Sequence, residues 1–240
     1  MAANVEIRSY HGATPDSGTN VASGSIRFKA ADNDTVDANN PLAIPAAGTI
    51  YSYIKQFRFH AATTPSNTIN NLKFYTDSNN GFGTGVGLGA KTFVMQTGTA
   101  TSGTTTTLTN TGASFPTAGG GLTGYVLEIT AGSQSGQARR ISSNTSTTIT
   151  VASAFPGAID NTSVYRVWYI DPVNNAQTQL SGTTDAFTYT SGAPLSVAGS
   201  INNPSTGAFG DGVYLQMSVA STASQGTTPS ETLTFSYDES

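Results

Sequence analysis

The sequence predicts an all-β protein: an antiparallel β-sandwich of jelly-roll type with a small β module inserted into it. Three observations lead to this prediction. Apolar and polar residues alternate with a period of two, which is typical of half-buried strands. Clusters rich in Gly, Pro, Asn, Asp and Ser, such as TPDSGTN and DPVNNAQ, separate these segments and indicate turns. No stretch of about eleven residues combines helical periodicity with helix caps, so we expect no helices.

In the first part of the chain, the clearest strand is YSYIKQFRFH, residues 51–60. Its aromatic residues at odd positions share one face, as expected of a strand. Lys55 interrupts that face, and Ile54 on the opposite one indicates that both faces are partly covered. Shorter alternating segments predict further strands at Val5–Arg8, Ile26–Lys29, Leu72–Tyr75 and Lys91–Met95.

The last part of the chain returns to the same pattern. In GVYLQMSV, residues 212–219, every second residue is apolar, and the residues between them are expected to face solvent. In ETLTFSYDES the side chains of Leu233, Phe235 and Tyr237 are expected to point inward. A shorter strand is predicted at Ala186–Thr190.

Composition changes at about residue 96, where Thr, Ser and Gly become dominant, and the aromatic pattern resumes after about residue 165. An insertion is tolerated where a loop leaves a domain with its two ends close together. We therefore assign residues 1–95 and 166–240 to one sandwich domain and residues 96–165 to an inserted module. Its predicted strands are Thr105–Thr109, Tyr125–Thr130, Arg139–Ser142, Thr147–Val151 and Tyr165–Trp168.

The inserted module contains one sequence motif twice, as TTTLTNTGASFPT at residues 105–117 and as TTITVASAFPG at residues 147–157. Two copies are too few for a solenoid, which needs at least three repeats. Alternating Thr with Leu or Ile favours a strand, and the Phe-Pro pair ends it. The repeated motif lacks ionisable groups, so we expect a structural role in which Phe115 and Phe155 fill the core of the module.

Composition also limits the function. Charged residues make up 10% of the chain and the formal net charge is −4, so the basic surface that binds nucleic acid is lacking. A surface with few charges repels copies of itself weakly, which favours association into an assembly. There is no cysteine, no apolar run long enough to span a membrane, and no apolar segment of a secretory signal near the N-terminus. We therefore expect no membrane partner and folding in a cytoplasm.

The residues that could support catalysis are few, and we predict no catalytic, cofactor-binding or metal-binding residues. His11 and His60 are the only histidines, which excludes histidine-rich metal sites. The stretch GSQSG at Gly132–Gly136 has Gln134 where a nucleophilic serine would stand. The glycine string GFGTGVGLGAKT at residues 81–92 lacks the Gly-Lys of a phosphate loop, so we interpret it as a structural glycine-rich loop.

The segment DNDTVD places Asp32, Asp34 and Asp37 close together, beside Asn33. Calcium takes oxygen ligands of this kind, but the spacing of an EF-hand is missing, so a solvated turn is the default interpretation. The four glutamates show no pairing that would suit a glycosidase. They are Glu6, Glu128, Glu231 and Glu239.

Arg139 and Arg140 form the only adjacent basic pair, and in a strand their guanidinium groups face opposite sides. One of them is expected to pair across strands with Glu128 or another acid. A contact between subunits is the alternative, since arginine is enriched at interfaces.

The residues 121–167, GLTGYVLEITAGSQSGQARRISSNTSTTITVASAFPGAIDNTSVYRV, resemble a β module that recurs in structural proteins of tailed bacteriophages. The stretch NLKFYTDSNNGFGTGVGLGAKT and the C-terminal YLQMSVASTASQGTTPSETLTFSYDE are similar to uncharacterised virion proteins of such phages. The resemblance implies a non-enzymatic virion component, made in the host cytoplasm, that attaches to the capsid or the tail.

Among virion roles, we expect a decoration or cement protein that binds the major capsid protein as a trimer or dimer and stabilises the lattice, with no cofactor. The alternative is a carbohydrate-binding or receptor-binding module of a tail fibre or baseplate. Such sites use exposed aromatic rings with amide partners, and the predicted loops offer Tyr10, Phe82, Asn79 and Asn80. A glycan-cleaving enzyme ranks third.

Overall fold

The computed structural model describes residues 4–11, 18–21, 26–63, 67–92, 96–168, 177–197, 201, 209–226 and 229–240. The protein is 43% strand and 3% helix, and its sheets are antiparallel, which confirms the predicted all-β class. The strands, in chain order, are β1 (Val5–Tyr10), β2 (Thr19–Asn20), β3 (Thr49–Tyr51), β4 (Lys55–Ala61), β5 (Ile69–Tyr75), β6 (Val86–Thr92), β7 (Gln96–Thr99), β8 (Ser102–Gly103), β9 (Thr107–Thr109), β10 (Val126–Ala131), β11 (Ala138–Asn144), β12 (Thr148–Val151), β13 (Val164–Val167), β14 (Thr184–Asp185), β15 (Leu195–Ser196), β16 (Phe209–Ala220) and β17 (Thr234–Glu239).

The described residues divide into two compact units. The first comprises those up to residue 92 and from residue 177 onward, and the second comprises residues 96–168. In the first unit, strands β14, β6, β16, β4, β1 and β2 lie side by side in that order, with β3 also paired to β16. A second sheet has the order β15, β5, β17.

The core of the first unit lies between its two sheets. Phe57 and Phe59 of β4 and Phe74 of β5 are fully buried there. The ring of Phe235, from β17, lies 5.8 Å from those of Phe57 and Phe59 and 5.2 Å from that of Phe74, measured between centroids. The first unit is therefore a sandwich held together by aromatic packing.

The second unit is a closed ring of strands. Its order is β7, β13, β10, β11, β12, β9, β8, and the two ends of this order, β7 and β8, are consecutive parts of the single segment 96–103. Phe115 and Phe155 are both 3% exposed and belong to the core of this ring. The prediction that the two phenylalanines fill the core of the module is confirmed.

Several local predictions were wrong. Residues 26–29 form no strand, and residues 186–188 form a 3-10 turn instead of one. Tyr237, expected inside, is 36% exposed, because the pairing register of β17 shifts between Ser236 and Asp238. Strand β16 is buried on both faces, since Tyr214 and Gln216 are covered as well.

The glycine string was assigned to a loop, but its second half is strand β6, paired with β16 along its whole length. Val86, Leu88 and Ala90 point into the core, while Gly87 and Gly89 lie on the other face. A Cβ at Gly89 would lie within 3.0 Å of Thr183, so the glycine permits this close approach. The predicted strand Lys91–Met95 overlaps the end of β6, and its residues 93–95 lie outside the described residues.

Candidate functional site

The two copies of the repeated motif form two equivalent hairpins in the second unit, which we call the twin hairpins. In the first, Gly103 of β8 lies opposite Leu108 of β9. In the second, Asn144 at the end of β11 lies opposite Ile149 of β12. Each residue of the second pair stands 41 positions after its equivalent in the first. The two hairpins therefore have the same pairing register.

Each hairpin has a turn closed by one threonine hydroxyl. The Oγ1 atom of Thr104 accepts hydrogen bonds from the backbone amides of Thr106 and Thr107, both at 3.1 Å. The Oγ1 atom of Thr145 accepts from the amides of Thr147 at 3.3 Å and Thr148 at 3.0 Å. A threonine hydroxyl commonly supports a turn in this way. The turn geometry is thus encoded twice by the same residue type.

The two hairpins pair with each other through β9 and β12. Leu108 and Ile149 lie directly opposite each other, and both are fully buried. Two antiparallel strands are related locally by a two-fold axis that runs between opposite residues. Because these two residues are also equivalent in the repeat, that axis exchanges one hairpin with the other.

Backbone hydrogen bonds on the two sides of this axis agree closely. The amide of Asn110 donates to the carbonyl of Thr147 at 2.8 Å, and the equivalent bond from Val151 to Thr106 is 2.9 Å. In a second equivalent pair of bonds, the amide of Phe115 donates to the carbonyl of Ser146 at 2.8 Å, and the amide of Phe155 donates to that of Thr105 at 2.7 Å.

The exposed surface of the twin hairpins consists of hydroxyl groups. The side chains at 102, 104–106, 143, 145 and 146 are exposed, and all of them belong to Ser or Thr. Residues 96–127 and 141–159 contain no charged side chain. Each hydroxyl can both donate and accept a hydrogen bond. This face can therefore form many short polar contacts without the cost of desolvating a charge.

The second unit buries one ion pair away from the hairpins. Arg166 of β13 lies opposite Glu128 of β10, and its Nε atom donates to Glu128 Oε2 at 2.9 Å. Arg139, one of the arginines expected to pair with an acid, instead lies over the ring of Phe155, at 5.2 Å from the centroid. The guanidinium of Arg139 also donates to the carbonyl oxygens of Ala138 and Ala154. Adjacency in the sequence drew attention to Arg139, whereas Arg166 was missed because its partner is distant in the chain.

The first unit contains a cluster of charges around Asp34. This carboxyl group accepts a hydrogen bond from Ser9 Oγ at 2.8 Å, and it contacts His11 Nε2 at 3.2 Å and Lys55 Nζ at 3.4 Å. Lys55, which is 1% exposed, also donates to the backbone carbonyl of Asn33. These contacts fasten the segment 30–40 to the ends of β1 and β4.

The same segment is held at a second point by Lys29. Its ammonium group donates to Asp37 Oδ1 at 2.9 Å and to the carbonyl of Thr35 at 3.1 Å. The side chain of Asp34 is 8% exposed, so this carboxylate is not solvated as we expected, whereas that of Asp37 is 29% exposed. Lys29 and Lys55 occupy the positions beside these carboxylates that a bound cation would need. Among the described residues, no group of three or more His, Asp or Glu side chains could hold a metal ion.

The pKa values in this cluster follow from its contacts. A hydrogen bond to Asp34 raises the pKa of His11, and the negative charge of Asp34 adds to the effect against partial burial. Burial alone would raise the pKa of Asp34, but the contacts with His11, Lys55 and Ser9 hold it below its ordinary value. Burial lowers the pKa of Lys55 despite the attraction of Asp34. Asp34 is therefore an ionised anchor.

The presence of Ser, His and Asp in one cluster does not create a nucleophilic triad. Ser9 donates to Asp34, so the serine hydroxyl is held by the acid instead of being activated by the histidine. Ser9 is also fully buried and out of reach of a substrate. The arrangement fixes a loop.

The residues considered for sugar binding are mostly engaged in the fold. Tyr10 is 1% exposed and lies under the guanidinium of Arg58. Phe82 packs edge-on against Phe187 at 5.8 Å, and the amide of Asn80 donates to the carbonyl of Val86 at 2.8 Å. Asn79 is exposed, with its backbone amide bonded to Asp77. The structure does not bring these four residues together as an exposed aromatic site.

The remaining sequence candidates have structural positions. Gln134, in the GSQSG stretch, accepts a hydrogen bond from the amide of Gly157 at 3.1 Å and adopts a positive φ of 65°. His60 is buried at 3.3 Å from Glu6. Within the described part of the chain, no helix is long and apolar enough to cross a membrane. No protein-family model, curated protein or solved structure matches this chain.

Proposed function

We propose that this chain is a non-enzymatic structural protein of a tailed-bacteriophage virion that binds the major capsid protein and stabilises the capsid lattice. The proposal rests on the resemblance of residues 121–167 to a module of phage structural proteins, together with the chemistry of the twin hairpins. Its location would be the mature virion, after synthesis in the host cytoplasm.

The observation that carries the proposal is the uncharged, hydroxyl-covered surface of the twin hairpins, in a unit with few charges. Residues 96–168 contain only five charged side chains, and two of them, Glu128 and Arg166, are buried against each other. A surface with so few charges repels other proteins weakly, which favours association with a large protein lattice over a free monomeric state. The closed strand ring also holds its two turns in fixed positions, which lowers the entropy lost on binding.

A non-enzymatic role fits the way the ionisable groups are used. In the described residues, the grouping closest to a catalytic set is Ser9, His11 and Asp34, and there the serine is buried and bonded to the acid. A buried ion pair of the second unit, Glu128 and Arg166, joins two neighbouring strands.

Stabilisation of the lattice follows from binding linkage. A protein that binds only the assembled lattice favours it over its dissociated subunits in proportion to affinity and concentration. We propose that the chain acts as a homo-oligomer, a trimer or a dimer, because repeated binding sites on a lattice favour symmetric ligands. No catalytic side chain or cofactor is required.

The alternative function, glycan or receptor binding at the tail, retains two exposed candidates, Asn79 and Asn80, among the four residues that suggested it. Tyr10 and Phe82 are committed to packing. A sugar site built on stacked aromatic rings would need other residues.

The test is gold labelling of intact virions with an antibody against this chain, followed by heating of purified heads with and without added protein. Label over the head, with heads that withstand a higher temperature when the protein is bound, is the expected result. Label confined to the tail tip would overturn the capsid proposal and favour host recognition.

A further inference from the structure

The twin hairpins carry similar side chains at exposed positions where the fold does not require them. Ser102 and Ser143 are equivalent and exposed, and so are Thr105 and Ser146. None of these four side chains makes a hydrogen bond within the described structure that would explain its identity. By contrast, Thr104 and its equivalent Thr145 have such a reason, since their hydroxyls close the turns.

Elsewhere in the ring the backbone keeps the two-fold relation while the sequence has diverged. The amide of Ala100 donates to Ser163, and the equivalent amide of Ile141 donates to Tyr125, at 2.9 and 2.7 Å. Ser163 has a small polar side chain, whereas Tyr125 has a large aromatic one. On the opposite side of the ring, the axis passes between residues as different as Glu128 and Arg166.

This contrast separates folding from recognition. If the repeat served only to build the ring, its exposed positions would be free to diverge as other equivalent positions have done. One pair of buried equivalents, Ala100 and Ile141, differs in size, whereas the exposed turn residues remain Ser or Thr in both copies. A requirement for the same surface chemistry at both turns accounts for this pattern.

We propose that the turns 104–106 and 145–147 are two copies of one binding surface, which together contact two identical copies of a single partner protein chain across a local two-fold axis. The partner surface is uncharged and offers backbone carbonyl and amide groups, because hydroxyls can satisfy both kinds. The inference rests on the proposed function and adds the symmetry of the partner: neighbouring, two-fold-related subunits of the lattice.

Two linked contacts explain how small turns can bind firmly. Once one turn is bound, the second meets its subunit at a high effective concentration, so the combined affinity exceeds that of either contact. This gain requires the two turns to be held at a fixed separation. The direct pairing of β9 with β12 supplies that rigidity.

The test measures binding of the purified chain to heads assembled without it, by co-sedimentation. The variants are Thr105→Lys, Ser146→Lys and the double variant. The control is Thr97→Lys, at an exposed position of β7 that lies opposite Arg166, on the other side of the ring from β9 and β12. Each single variant should lower affinity by roughly tenfold or more, because burying a lysine ammonium in the interface removes its hydration. The two single variants should do so by a similar factor. The double variant should lose binding, and the control should bind like the wild type.

Each variant must show the Trp168 fluorescence and the thermal unfolding of the wild type, so that a loss of binding is not caused by unfolding. If only one turn matters, or if neither does while the wild type binds heads, the two-fold inference is wrong and the capsid role survives. If the wild type binds host cells but not heads, and lysine at either turn abolishes that binding, both proposals fail in favour of a cell-surface ligand.

Discussion

Leu108 and Ile149 lie directly opposite each other at the centre of the paired hairpins, each the other's equivalent in the repeat and both fully buried. Their pairing places the local two-fold axis of the second unit. Each side of the axis carries one turn, one Phe-Pro and one set of exposed hydroxyls. The stability of this unit and the relative placement of its two turns therefore depend on the same contact.

Leu108→Ala and Ile149→Ala are expected to cost nearly the same stability, because the two side chains fill equivalent halves of one core. Each should lower the free energy of unfolding by about 2–5 kcal/mol. Urea unfolding followed through the fluorescence of Trp168, the single tryptophan and a buried residue of the same unit, provides the measurement. Ser153→Ala, at an exposed position, serves as control and should change stability by less than about 0.5 kcal/mol. A large inequality between the two core variants would contradict the symmetric packing.

Glu128→Gln is expected to be strongly destabilising, since it removes the carboxylate that Arg166 contacts in a buried position. Breaking one side of a buried ion pair typically costs about 3–5 kcal/mol. Replacing both residues, as Glu128→Met with Arg166→Met, should cost less than the sum of the single changes, because no charge is left behind. The same unfolding assay applied to all three variants gives the coupling. Simple additivity would show that the pair does not act as a unit.

Thr104→Val and Thr145→Val should each lower stability by about 1 kcal/mol, because each hydroxyl accepts two backbone amides that close a turn. Valine keeps the shape of the side chain and removes only the oxygen. The matched control is Thr105→Val, in the same turn, whose hydroxyl makes no hydrogen bond within the described structure. If the control variant loses as much stability as the other two, the turn hydroxyls do not have this role.

Stability should depend on pH through the contact between His11 and Asp34. The pKa of His11 is raised in the folded state, so its contribution is fully present below the ordinary value of 6.5 and is lost as pH rises through the raised value. The pKa of Asp34 is lowered, so its contribution is present above 3.8 and is lost as pH falls through the lowered value. The contact is therefore strongest between these two limits, from about pH 4 to 6.5.

The corresponding variant is His11→Gln, compared with the wild type by urea unfolding across this pH range. The wild type should lose its advantage over the variant as the pH rises above 6.5, and proton NMR should show the His11 ring titrating above its ordinary pKa. A constant difference between the two proteins at every pH would mean that the histidine does not sense Asp34.

Part of this structure could be predicted because the signals are local. Alternation with a period of two identified most strands, including those of the repeat, and the Phe-Pro ends of the repeat indicated its role in the core. Local signals failed where residues distant in the chain decide the outcome. The glycines of β6 suggested a loop, but pairing with β16 makes the segment a strand. Tyr237 matched an inward pattern until a register shift in β17 turned it outward.

The candidate sites show the same division. From the sequence alone we could infer an all-β chain with few charges, no cysteine and a duplicated threonine-rich motif, because composition and periodicity belong to short segments. The tertiary fold was needed to show that Lys55 forms an ion pair with Asp34, that Glu128 contacts Arg166, and that the two copies of the motif pair with each other. Each of these contacts joins residues roughly twenty to forty positions apart, and their pairing is fixed by strand register and loop closure, which alternation within a single strand does not encode.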